Sequence, residues 1–212
     1  MQQHCVSTNF MIIKKINTNN PNPEIINGAI DMLRDGKIIV YPTDTIYGIG
    51  CDILNKKAIQ TIQKIKNRKK QKPLSIICAD LKDISRWAMV SNWQYKILKK
   101  HLPGPFTFIL KASREAPKVL QDPKRKTIGI RIPNNEICQN IVQELGNPII
   151  TTSVNESGKQ NYANPDEIKR DWFGKVDLIL DAGKIEGEPS TVVSLIDDQV
   201  EIIRQGKGIF EN

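Results

Sequence analysis

Between Ile38 and Asp80 the hydrophobic periodicity passes from a strand period to a helix period and back, a pattern that an alternating α/β fold accommodates and few others do. Ile38, Ile39 and Val40 make a short β-branched run that stops at Pro42, whose nitrogen cannot donate to a ladder. Pro42-Thr43-Asp44-Thr45 reads as a polar turn, and Tyr47-Gly48-Ile49-Gly50 resumes extended chain. Its two glycines permit close backbone approach, either to a ligand or to a neighbouring strand. Asn55 is placed to cap a helix in which Ala58, Ile59, Ile62 and Ile65 recur at helical spacing. Leu74-Ser75-Ile76-Ile77 then reads as a buried strand. Eight Lys/Arg and no acid fall from Lys56 to Lys72. On charge alone such a run is a solvated helix face. This one closes with Lys66-x-Arg68 and Lys72-Pro73-Leu74, where cations held between a helix and a strand can converge on a polyanion, phosphate being the commonest.

The remaining chain continues the alternation. Ile12, Ile13 and Ile16 suggest an edge strand within a polar, Asn-rich segment 1–20, with a frayed tail before it. Pro23 opens a helix carrying Ile25, Ile26, Ala29, Ile30 and Leu33, which Gly36 ends. Asp80 to Met89 reads as one helix and Ser91 caps a second, which stops at Leu102-Pro103. Trp87, Trp93 and Tyr95 recur at helical spacing, which favours core packing over a base-stacking platform. Pro103-Gly104-Pro105 feeds the strand Phe106 to Leu110, and 113–126 reads as a surface loop. Thr127 to Pro133 alternates as a strand with Thr127, Gly129 and Arg131 on one face. Asn135 to Leu145 is an amphipathic helix stopped by Gly146. Pro148 to Val154 is a strand leading into Ser153-x-Asn155-x-Ser157-Gly158, whose hydroxyls and amide can ring a phosphate or ribose. That segment is no Walker A loop, because Ser153 stands where the first glycine is needed. A helix over 165–172 and strands over 178–180, 190–193 and 200–203 complete the pattern, the last two joined across Asp197-Asp198.

Composition narrows the chemistry. The 212 residues carry a net charge of +8, which favours acidic partners such as nucleotides, pyrophosphate or RNA. Aromatic residues make up only 6% and are scattered, so substrate phosphates account for the charge more economically than an RNA platform does. Cys5, Cys51, Cys78 and Cys138 form no CxxC pair and read as reduced thiols of a cytoplasmic protein. With only His4 and His101, a His-rich metal site is excluded and a catalytic triad is disfavoured. The N-terminal MQQHCVSTNFMIIKK lacks the pattern of a signal peptide, and no run is long and apolar enough for a membrane span, so neither is expected.

PTDTIYGIGCD, KNR with KPLSI, PGPFTFIL, TIGIRIP, TTSVNESG and EPSTVVSL with IIRQG occur in an order that resembles the YrdC/TsaC family, over about Ile25 to Gly206. The resemblance implies a single α/β domain over 21–212: a twisted mixed β-sheet flanked by helices, with a basic concave cavity. It also implies a threonylcarbamoyl-AMP synthase acting in tRNA modification, from ATP, L-threonine and bicarbonate, with magnesium accompanying ATP and no metal held by protein side chains. By the same resemblance, ATP falls on Lys66, Arg68, Lys72, Thr127, Ser153, Asn155, Asn161 and Arg204. Lys66, Arg68, Ser153 and Asn155 form the signature assigned to catalysis. L-threonine falls on Thr43, Thr45, Tyr47, Arg131, Thr151 and Ser190. A tRNA contact and a downstream threonylcarbamoyl transferase complex are the further partners implied.

The chain departs from the family pattern in three places. Lys69 stands where proline is frequent, Lys159-Gln160-Asn161-Tyr162-Ala163 replaces a Ser-Pro-Thr pattern, and the end at Asn212 resembles the short, bacterial-type form. Two rival readings remain at this level. One is a non-catalytic RNA-binding module using the same cavity. The other is a carbamoyl-adenylate enzyme like the hydrogenase maturation proteins, whose usual zinc-finger and acylphosphatase-like domains have no counterpart here.

Overall fold

A computed structural model describes residues 10–66, 74–155 and 160–211. The edge strand β1 (Ile12–Lys15) is followed by α1 (Pro23–Arg34) and then by β2 (Ile39–Tyr41) and β3 (Gly48–Gly50). Next come α2 (Lys56–Ile65), β4 (Ser75–Ile77), α3 (Leu81–Trp87), β5 (Ala88–Met89), α4 (Asn92–His101) and β6 (Phe106–Ala112). The chain continues through β7 (Thr127–Arg131), α5 (Glu136–Leu145), β8 (Ile149–Ser153), α6 (Pro165–Trp172), β9 (Leu178–Asp181), β10 (Thr191–Ser194) and β11 (Glu201–Arg204). The strands form one mixed sheet in the order β1-β9-β2-β3-β8-β4-β7-β6-β10-β11, with β5 added against β6.

Helix ends follow local chemistry. Asn22 and Asn55 cap α1 and α2, their side-chain oxygens accepting from Glu24 N and Ala58 N. Gly146, at φ +75°, closes α5 in the left-handed conformation that glycine adopts without steric cost. Two expectations needed revision. The helix expected from Asp80 to Met89 stops at Trp87, because Ala88 turns extended and pairs with Ala112 at the margin of β6. The loop at 113–126 includes a 3-10 turn, Lys118–Leu120, which carries Leu120 into the core together with Ala116. Trp87 is buried, Trp93 is half-buried with its indole N–H on Asp198, and Tyr95 is exposed.

Two layers of helices cover the sheet. Ile59 and Ile62 of α2, Ile84 of α3, Leu98 of α4 and Ile168 of α6 pack against Val40, Ile76, Phe108 and Ile130 on one face. On the other, Ile26, Ile30 and Leu33 of α1 and Ile137, Ile141 and Val142 of α5 pack against Ile39, Tyr41, Ile77 and Ile149. Registered partners share a face, so Ser75, Gly129 and Thr151 lie on the same side of the sheet as Ile77 and Arg131. Beyond the cover of α1 and α5 that side turns from aliphatic to small and polar, and there the sheet is hollow.

The strands can close around the hollow only because glycines admit them. A Cβ at Gly50 would sit 2.1 Å from Ile150 O and 3.1 Å from the Tyr41 hydroxyl. Gly50→Ala is therefore expected to destabilise the protein by about 1–3 kcal/mol, since the neighbour is backbone and cannot step aside. Gly28→Ala, whose methyl would meet nothing within 4 Å in α1, is expected to gain about 0.5–1 kcal/mol. Urea denaturation of the two variants checks this, and equal midpoints would contradict the packing described.

Candidate active site

The hollow is a cavity of about 510 Å³ bounded by the ends of β3, β7, β8, β10 and β11, within the range of small-molecule sites. Its lining includes Tyr47, Arg131, Thr151, Ser153, Asn155, Asn161, Ser190 and Arg204, and no Asp or Glu among the described residues. Sequence separations as large as that between Tyr47 and Arg204 are thus folded into one chamber.

Arg131 closes β7 with its guanidinium buried. Nη2 donates to Asp44 Oδ1 at 2.9 Å and to Thr45 Oγ1 at 3.0 Å, while Nε is buried with no hydrogen-bond partner among the described residues. The other carboxylate oxygen, Asp44 Oδ2, accepts from Asn134 N at 3.1 Å, which fixes the acid from both sides. Asp44 sits where it does because Thr43 locks the turn: its Oγ1 donates to Ile46 O at 2.6 Å and accepts from Ile46 N at 3.2 Å. Thr43 and Thr45 therefore stand behind Arg131 and do not line the cavity. Tyr47 lines it, but its hydroxyl donates to Gly183 O at 2.6 Å and accepts from Ala182 N at 3.0 Å, anchoring the turn after β9.

Arg204, at the end of β11, donates from Nη2 to Ser190 O at 2.7 Å, and Ser190 Oγ pairs with Thr107 Oγ1 at 2.8 Å. Burial, and after it the charge of Arg131, hold the Arg204 guanidinium below its ordinary value. Asp44 compensates the charge of Arg131, whereas Arg204 has no carboxylate partner among the described residues, so its guanidinium is the charge left for an anion in the chamber.

Lys66 caps α2 and is 1% exposed. Its ammonium donates to Ser153 O at 2.7 Å and to both the carbonyl and the side-chain oxygen of Asn155. Ser153 Oγ also donates to Asn155 Oδ1 at 2.8 Å. Lys66 thus stands behind the Ser153–Asn155 segment and holds the end of β8 in shape from the protein side. Thr127 is buried on the cavity face of β7, outside the lining. Arg68, Lys72 and the Ser157-Gly158-Lys159 segment lie outside the described residues.

The sequence reading did not single out Ser75, Thr107, Ile109 or Val192, all of which line the cavity, nor the role of Asp44. For β6 a signal existed: Phe106, Phe108 and Leu110 face the core, so Thr107 and Ile109 must face the other way. Burial pushes the Cys51 thiol up to about 12 and Cys138 and Cys78 well above the thiol range; all three are free, buried and inert as nucleophiles. Among the described residues no cluster of His, Cys, Asp or Glu converges on a metal position, and no helix is long and apolar enough to cross a membrane.

Comparison with known proteins adds a second line of observation. A family model, Sua5_yciO_yrdC, described as telomere recombination, matches residues 31–206. The chain is 38% identical over 194 residues to the uncharacterized protein YciO of Escherichia coli, covering 91% of this chain and 94% of that one. The crystal structure of that protein superposes with a TM-score of 0.90 at 37% identity, over 94% of this chain and 98% of the other. The chain is 34% identical over 191 residues to the threonylcarbamoyl-AMP synthase of Bos taurus, covering 86% of this chain and 68% of that enzyme. The crystal structure of Pyrococcus abyssi Sua5 complexed with L-threonine superposes with a TM-score of 0.86 at 29% identity, over 92% of this chain and 58% of the archaeal protein.

Proposed function

The chain belongs to the Sua5/YciO/YrdC family, and on that premise we propose that it is a threonylcarbamoyl-AMP synthase, converting L-threonine, bicarbonate or CO2, and ATP to threonylcarbamoyl-AMP and pyrophosphate. The observation that carries the reading is the buried guanidinium of Arg131, oriented by Asp44 and Thr45 and left with an unpartnered Nε, in a chamber it shares with Arg204, Ser153 and Asn155. A planar fork of this kind suits a carboxylate, and an amino acid brings one. The L-threonine bound to the archaeal relative supports that choice of ligand.

In the proposed reaction the amine of L-threonine adds to CO2 and releases a proton, giving a carbamate. A carbamate oxygen forms a bond to the α-phosphorus of ATP as the bond to the β-phosphate oxygen breaks and pyrophosphate leaves. Arg131, Thr151 and Ser190 hold the amino acid, with Thr45 bracing the Arg131 guanidinium from behind. Arg204, Asn161 and the Ser153–Asn155 segment braced by Lys66 hold the nucleotide. Arg204 donates to Ser190, so the two ligand sets meet within one chamber, the condition for in-line attack. The residues supply position and charge neutralisation. Arg68 and Lys72 keep the ATP-binding roles that the family resemblance gives them, whereas Thr43, Tyr47 and Thr127 act as supports in place of the ligand contacts it gives them. Magnesium is proposed to arrive on the ATP phosphates, because the described donors at the site are hydroxyls, amides and guanidiniums, which suit phosphate better than a divalent cation.

The product is proposed to serve N6-threonylcarbamoyladenosine formation at position 37 of ANN-decoding tRNAs, in the cytoplasm, through a transferase complex. The three buried free thiols suit a reducing compartment. The test is pyrophosphate release from ATP with magnesium and bicarbonate, with and without L-threonine. Threonine-dependent release is the expected result, and release that ignores threonine would contradict the reading.

A further inference from the structure

Tyr41 ends β2 on the border between the helix-covered core and the cavity. Its ring is fully buried against Gly48, where an added Cβ would come within 3.0 Å of Cε2. Its hydroxyl donates to Thr151 Oγ1 at 2.8 Å, and no other bond crosses from this phenol to the cavity wall among the described residues. Tyr41 itself is not part of the lining, whereas Thr151 is, on the same face of the sheet as Arg131. Burial raises the phenol well above the ordinary tyrosine range, so it stays protonated at neutral pH.

A threonine hydroxyl has one proton to give and two lone pairs. When the phenol fills one lone pair, the rotation of the Thr151 hydroxyl is fixed and its own proton is directed away from Tyr41. Resting on the reading of the cavity as an L-threonine site, we propose that Tyr41 is a positioning residue that sets Thr151 as a hydrogen-bond donor to an acceptor oxygen of the amino-acid substrate. The slot that admits the ring requires glycine at Gly48 and Gly50, so those glycines serve the orientation of Thr151 as well as strand approach.

Tyr41→Phe keeps the ring and removes the donor. The variant is expected to raise KM for L-threonine by about three- to tenfold, the range of one oriented neutral hydrogen bond, with kcat at saturating threonine and KM for ATP each moving less than about twofold. Thr151→Val removes the hydroxyl to be oriented, so adding Tyr41→Phe to it should change the threonine KM by less than about twofold. An unchanged KM in Tyr41→Phe, or an equal rise in both backgrounds, would overturn the proposal. Should Tyr41→Phe melt below assay temperature, Thr151→Ser and Thr151→Val supply the second reading. Serine keeps a hydroxyl on the phenol and should retain more threonine affinity than valine, which removes it; equal losses would overturn it. The wild-type assay keeps the two questions apart: no threonine dependence in the wild type refutes the synthase reading, and normal wild-type behaviour with unaltered variants refutes only the role of Tyr41.

Discussion

Arg131→Lys is expected to lower kcat/KM for L-threonine by about two orders of magnitude, nearly all of it through KM. Lysine keeps the charge but loses the fork, and with it either the bonds to Asp44 and Thr45 or the bonds left for the ligand. A charge-assisted hydrogen bond contributes about 1.5–3 kcal/mol, and about 1.4 kcal/mol is a factor of ten, so loss of one such bond at the upper end of that range accounts for the effect. Arg131→Ala should do more harm. It leaves the Asp44 carboxylate, 9% exposed, with only the Asn134 N–H among the described residues, and removing one member of a buried pair costs about 3–5 kcal/mol of stability. Steady-state kinetics with varied threonine and urea denaturation separate the two effects. A wild-type threonine KM in Arg131→Lys would show that the fork is not where the carboxylate sits.

Lys66→Met is the second large expected loss. The ammonium satisfies Ser153 O and two oxygens of Asn155, and methionine fills its volume without offering a donor. A buried acceptor left without a partner costs about 1–3 kcal/mol, so destabilisation of about 3 kcal/mol is expected. The freed end of β8 would no longer present Ser153 and Asn155 together, and turnover of ATP should fall by more than about 100-fold. Lys64→Met, two residues earlier and on the exposed side of α2, should change neither stability nor turnover measurably. Equal behaviour of the two variants would return Lys66 to the solvated face of the helix.

That contrast also marks how far the sequence could be read. Along α2, Ile59, Ile62 and Lys66 fall on one stripe, so the burial of Lys66 is legible from spacing, whereas Lys56, Lys57 and Lys64 point to solvent. The elements themselves were legible for the same reason: strong periodicity, with asparagine or glycine at the helix ends. Ala88–Met89 was not, because its extended shape comes from pairing with Ala112 and not from its own side chains. Nor was the neighbour relation of β3 with β8 or of β6 with β10, which the sheet order sets against the chain order. The cavity depends on both. Motifs nominated Arg131, Thr151 and Arg204, but only the pairing of distant strands reveals that Asp44 orients Arg131, that Thr107 meets Ser190, and that a phenol from β2 reaches Thr151.

The central claim is that one chamber joins an amino acid, CO2 and a nucleotide, and labelled bicarbonate tests it most directly. The protein would be incubated with labelled bicarbonate, ATP, magnesium and L-threonine, and the products separated by chromatography with parallel measurement of pyrophosphate. The account predicts label in an adenylate that also contains threonine, one label per pyrophosphate released, and none with Arg131→Ala. Absence of any labelled adenylate, together with tight and salt-sensitive binding of tRNA, would contradict it and favour a non-catalytic RNA-binding module instead.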